Sequence, residues 1–153
     1  MLISTRQAPP PPKKGDQALG RSRGGLSTKI HALVEGLGSL ARFRLTGGEA
    51  GDSPEALPLL GDLQPGSLSA DKAYDTDAIL EHLAHSSIDA IIPPRSHRIV
   101  QRAFDRHMYK NRNLVERFFC RIKQFRRIAT RYDKLAERFA SFVALAAAVI
   151  WLA

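Results

Sequence analysis

Between Thr28 and Leu45 the side chains alternate at a period of two, and this stretch constrains the fold more than any other. Thr28, Ile30, Ala32 and Val34 take every second place with Lys29, His31 and Leu33 between them; after a break at Gly36-Leu37-Gly38, Ala41, Phe43 and Leu45 alternate with Arg42 and Arg44. A helix repeats every 3.6 residues, so it cannot hold this pattern on one side; a strand, whose side chains point to opposite faces in turn, can. Thr28 to Leu45 is therefore expected to be a β-hairpin with one apolar and one basic face, closed by Gly47 and Gly48.

The rest of the chain is punctuated by proline and glycine. Residues 1–25 hold the run Pro9 to Pro12, then Lys13, Lys14, Gly15 and the Gly20 to Gly25 segment with Arg21 and Arg23, without apolar periodicity, and read as a basic arm. Asp52 or Ser53 with Pro54 marks a helix start that runs to Leu60 and is stopped by Pro65-Gly66. Ser67 to Ala70 reads as a short strand leading into Asp71, expected at the end of a central strand. Thr76 or Asp77 caps a helix through Leu83, and Ile88 to Ile92 forms a strand ended by Pro93-Pro94. Asn111 to Phe125 carries helical periodicity, Arg126 to Lys134 is a basic connector, and Ala136 to Leu152 is a closing helix. A hairpin followed by alternating strands and helices predicts an α/β (α+β) domain over 26–153 with a mixed sheet.

Charge narrows the partners. Lys and Arg number 23 against 15 Asp and Glu, a net +8 that favours a polyanion, most economically nucleic acid. One cysteine, Cys120, excludes an internal disulfide and a cysteine metal cage, and is expected to be a small buried apolar residue. The segment from Phe139 to Ala153 is uncharged but shorter than the roughly 20 residues of a membrane span, so it reads as a buried helix. The five histidines show no metal-site spacing. With no apolar leader, a reducing cytoplasm is expected.

Two places carry candidate chemistry. Tyr109, Arg112, Glu116 and Lys123 fall within roughly 60° of one another at about 100° per residue of helix, opposite Leu114, Phe118, Ile122 and Phe125. Taken alone, that face is an ordinary solvated ion-pair ladder. Asp71, in Ala70-Asp71-Lys72-Ala73-Tyr74-Asp75, stands where a strand ends and a helix begins; alone it reads as a cap. Together two carboxylates offer hard oxygen ligands for divalent cations that could clamp a phosphodiester. Arg126, Arg127, Arg131 and Lys134 are the expected phosphate contacts.

At these residues the chain resembles the insertion sequence 5 family of transposases in the DDE superfamily. The resemblance rests on ALGRSRGGLSTKIHALV, RFRLTGGEAGDSPEALPLL, ADKAYD, IPPR and YKNRNLVERFFCRIKQFRRIATRYDK, the last meeting the signature Y-x2-R-x3-E-x6-K at Tyr109, Arg112, Glu116 and Lys123. It implies an RNase H-like core, two Mg²⁺ or Mn²⁺ ions held by two aspartates and a glutamate, and cutting and joining of double-stranded DNA at element ends. Asp71 then corresponds to the second aspartate and Glu116 to the glutamate, both catalytic metal ligands, while Tyr109, Arg112 and Lys123 contact DNA phosphates or terminal bases. Self-assembly, or assembly with a full-length transposase, would follow.

The chain departs from the family at the first aspartate. Ile3-Ser4-Thr5 stands in the neighbourhood of the family's Asp-Ser-Thr stretch, and no Asp precedes Asp16. The expected consequences are a core without its first strand, an exposed edge on the hairpin and impaired cleavage. Two readings stay open: a transposase catalytic domain lacking one ligand, and an inactive DNA-binding remnant that interferes with intact copies. A nuclease unrelated to transposition would have no reason to keep the long YKNRNLVERFF block.

Overall fold

The computed structural model describes residues 2–3 and 15–152 and divides the chain into two units, 51–114 and the remainder. Most of the arm, including Pro9 to Pro12 and Lys13-Lys14, lies outside the described residues, as do Ser4 and Thr5.

In the first unit the hairpin forms as its alternation requires. Strands β1 (Leu2–Ile3), β2 (Gly20–Ser22), β3 (Gly25–Val34) and β4 (Leu40–Gly47) make a sheet in which β3 pairs antiparallel with each of the others. In the β3–β4 register Ile30 faces Leu45 and Ala32 faces Phe43, with a shift between Leu33 and Val34. The turn is stapled by Glu35, whose carboxylate accepts from Leu37 N (2.9 Å) and Ser39 N (3.0 Å); those amides hold it below the usual carboxylate range.

The expected bare edge is not bare. β1 sets Leu2 against Lys29 and Ile3 against Thr28, and β2, inside the stretch read as an arm, pairs with residues 25–27. Thr28 and Lys29 already bond to β4, so β1 occupies the opposite edge and satisfies backbone groups the hairpin alone would leave open. The basic face of β3 is not solvated either. Lys29 and His31 are buried, Lys29 Nζ donating to Ala50 O (2.5 Å) and His31 Nε2 meeting Thr46 Oγ1 (2.8 Å).

The apolar face of the hairpin lies in a core built with the C-terminal helices. Ile30 clusters with Phe118, Phe119, Ile122, Ile128, Phe139, Val143 and Ile150, and Ala32, Phe43 and Leu45 pack against the cluster.

The second unit holds α1 (Ala56–Leu60), which continues a 3₁₀ turn at Ser53–Glu55 with Pro54 in its first turn, then β5 (Ser67–Ser69), α2 (Asp77–His85), β6 (Asp89–Ile91) and α3 (Arg106–Tyr109). Thr76 caps α2, its Oγ1 accepting from Ile79 N (3.4 Å). β5 and β6 are parallel, with Leu68 opposite Ala90, and Leu59, Leu60, Ile79, Leu83, Ile88, Ile91 and Ile92 are buried. This sheet has two strands among the described residues, so Asp71 follows an edge strand and not the expected central one.

The helix expected over Asn111 to Phe125 is interrupted at its start: Lys110–Arg112 form a 3₁₀ turn, and α4 (Asn113–Ile122) follows it. The connector after it contains α5 (Arg126–Ala129), and α6 (Ala136–Leu152) closes the chain as expected. Among the described residues no helix is long and apolar enough to cross a membrane. The architecture is mixed α and β, with antiparallel pairing in one unit and parallel pairing in the other.

Candidate active site

Asp71 lies two residues past β5 with an extended backbone and begins a 3₁₀ turn at Lys72–Tyr74. Its Oδ1 accepts from Ala73 N (2.7 Å), so one carboxylate oxygen serves the cap while the half-exposed group keeps its second oxygen outside that bond. Tyr74 closes the turn by donating its N–H to Asp71 O (3.1 Å). Burial pushes the Tyr74 phenol up to about 12, helped by the carboxylates of Asp52 and Asp71, which disfavour a phenolate.

Four residues on, Asp75 is fully buried and surrounded by arginines. Its Oδ2 accepts from Arg95 N and Arg98 Nε, both at 2.7 Å, and its Oδ1 from Arg102 Nη2 at 2.7 Å. Burial alone would raise this carboxyl, but the three donors outweigh it and hold the group below its ordinary value. Arg98 also reaches Asp77 (2.7 Å), and Arg95 donates back to Lys72 O (3.1 Å) and Ala73 O (2.6 Å). The loop after Pro93-Pro94 is thus bonded to the turn that carries Asp71. Sequence reasoning missed this cluster, because its pairs are 20 to 27 residues apart. The spacing of Arg95, Arg98 and Arg102 after a double proline was the available signal.

Tyr109 ends α3 and Arg112 ends the 3₁₀ turn. Residues three apart eclipse in 3₁₀ geometry, and the Arg112 guanidinium stands 5.7 Å from the centre of the Tyr109 ring, with Phe104 edge-on at 5.5 Å. The four signature residues therefore do not share one continuous helix.

Glu116 is exposed in the first turn of α4, where a carboxylate suits the positive end of the helix, and Lys123 lies half-buried one residue past it. Cys120 corrects the expectation placed on it. It is exposed, because four residues of helix turn it only about 40° from Glu116, while Phe118, Phe119 and Ile122 take the buried side.

Arg126 and Arg127 are exposed; Arg127 pairs with Asp133 (3.2 Å), its guanidinium 4.0 Å from the centre of the Phe142 ring. Arg131 is no phosphate contact: its residue is 0% exposed. Its guanidinium donates to Gln17 O (3.0 Å), Ala18 O (3.2 Å), Thr28 Oγ1 (2.6 Å), Asp133 O (2.9 Å) and Lys134 O (3.3 Å).

Asp71, Tyr109 and Arg112 belong to the unit 51–114, and Glu116, Lys123, Arg126, Arg127 and Arg131 to the other. Among the described residues no three His, Cys, Asp or Glu side chains gather in a way that could hold a metal. Asp71 and Glu116 nevertheless fit a hard divalent cation in kind, since both are solvent-accessible carboxylates.

Comparison with known proteins agrees with the signature. A family model described as Transposase DDE domain matches residues 68–153. A putative transposase for insertion sequence element IS6501 from Brucella ovis is 39% identical over 129 residues, covering 83% of this chain and 99% of that relative. No solved structure matches. The chain belongs to the insertion sequence transposases of the DDE superfamily.

Proposed function

We propose that this chain acts in DNA transposition, as the part of a DDE transposase catalytic domain that supplies Asp71, Glu116 and the surrounding cations. The observation that carries the reading is that the family match, residues 68–153, encloses Asp71, Tyr109, Arg112, Glu116 and Lys123 together. In this reading Asp71 and Glu116 hold the divalent ions, Mg²⁺ or Mn²⁺. The ions, when bound, supply the charge stabilisation that in-line displacement at a phosphodiester requires. Tyr109, Arg112 and Lys123 hold phosphates or terminal bases of double-stranded DNA, and the exposed Arg126 and Arg127 add contacts to its backbone.

Two ions need a further carboxylate beside these two, and this sequence carries no Asp before Asp16, whose Oδ1 accepts from Ala18 N (2.8 Å) in an exposed turn. A second reading is a DNA-associated cytoplasmic chain that binds DNA without cutting and assembles with full-length transposase. Calorimetric titration of the full chain with MnCl₂ tests the metal ligands. Asp71→Asn and Glu116→Gln are each expected to weaken binding at least tenfold; equal affinity in all three proteins would remove both residues from the site.

A further inference from the structure

The loop Arg95 to Arg102 presents two large apolar side chains to water: Ile99 is fully exposed and Val100 is 70% exposed. The loop is held rigidly. Arg98 N donates to Arg95 O (3.0 Å), and the Gln101 amide donates to Arg95 O (3.0 Å) and Arg98 O (2.8 Å), which closes the turn beneath the tip. Arg98 is bonded to the buried Asp75 and to Asp77, and Arg95 to Lys72 O and Ala73 O. A tip fixed at these points cannot fold back to cover its own apolar surface. An open depression of about 550 Å³ lies beside it, with Arg95, Arg98, Ile99 and Val100 on its walls together with Asp75 and Asp77.

The loop itself is cationic. It carries Arg95, Arg98 and Arg102 with no acid between them, and the acids it bonds are Asp75 and Asp77, which leaves three cations against two acids around the tip. An apolar point set among cations matches a duplex, which has phosphates outside and stacked apolar faces within, and proteins that kink DNA use Ile and similar side chains in this way. We propose that Ile99 and Val100 form a wedge that enters a base step of double-stranded DNA, and that the Arg95 and Arg98 bonds fix the wedge relative to Asp71. The inference rests on the reading that this protein acts on DNA. It adds a DNA-deforming element to that reading: the wedge unstacks the duplex at a set distance from the catalytic carboxylate. Flexible pyrimidine–purine steps are the easiest to open and would be preferred.

The test uses the full chain and a 2-aminopurine duplex with the fluorescent base at TA steps. Wild type is expected to raise the fluorescence severalfold at saturation. Ile99→Ser with Val100→Ser, both surface changes, should abolish the rise while leaving the melting temperature unchanged. Arg126→Ala with Arg127→Ala should weaken binding yet keep the rise at saturation. The wedge is overturned if the serine pair keeps the full rise, or if it instead changes only self-association in sedimentation, which would make the tip a contact between copies. If wild type fails to bind the duplex, the DNA reading falls and takes the wedge with it; if wild type binds and the serine variant keeps the rise, only the wedge falls.

Discussion

Arg131 and Asp75 are buried ions of opposite sign, and the fold compensates them differently. Arg131 is matched by carbonyls and the Thr28 hydroxyl, with the Phe139 ring 5.2 Å away, and burial lowers its proton affinity while Asp133 opposes that. Its fork of donors ties residues 17 and 18 to β3 and to the segment before α6, so Arg131→Ala would leave several buried acceptors unmatched. We expect a loss of about 3 kcal/mol, read by denaturant unfolding, with DNA affinity of the folded protein unchanged. Lysine should not rescue it, since one ammonium cannot reach the same set. Asp75 is matched by full charges instead. Asp75→Asn should cost roughly 3 kcal/mol, the low end for a broken buried pair because Arg98 and Arg102 remain partly exposed. The folded protein depresses this carboxyl below its unfolded value of about 3.9, so its stabilisation is complete above that pH and lost as pH falls through the depressed value. The melting-temperature gap between wild type and Asp75→Asn should therefore be full at pH 6 and narrow below about pH 4.

At the scale of elements, the signals that survived were those written in local periodicity. The β3–β4 hairpin, the helix opened by Thr76 and the long α6 all follow from spacing and caps that act within a few residues. The helix expected over Asn111 to Phe125 failed at its start, where a 3₁₀ turn separates α3 from α4. The periodicity there could not show it, because i to i+3 neighbours meet in both helix types. Surface chemistry was legible for α5, where Arg126 and Arg127 are exposed, and misread for Arg131, which continues the same basic run yet turns inward. The double change Arg126→Ala, Arg127→Ala is expected to weaken duplex binding and reduce the slope of log K against log salt by about 1 to 2. An unchanged slope would place the backbone contacts on another surface.

At the scale of the whole molecule, each of the two units carries one of the two candidate carboxylates, Asp71 in one and Glu116 in the other. The sequence by itself determined the family, the candidate residues and most elements, because a fixed-spacing signature, strand alternation and capping side chains are properties of neighbours along the chain. The tertiary structure alone decided that β1 and β2 cover β3, that Lys29, His31, Asp75 and Arg131 are buried, that Cys120 is exposed, and that Ile99 and Val100 stand free on a stapled loop. Those outcomes depend on partners far apart in the chain, such as Arg131 with Gln17 or Asp75 with Arg102. Burial of an ion is set by the donors and acceptors that folding brings to it, and local sequence does not record where they come from.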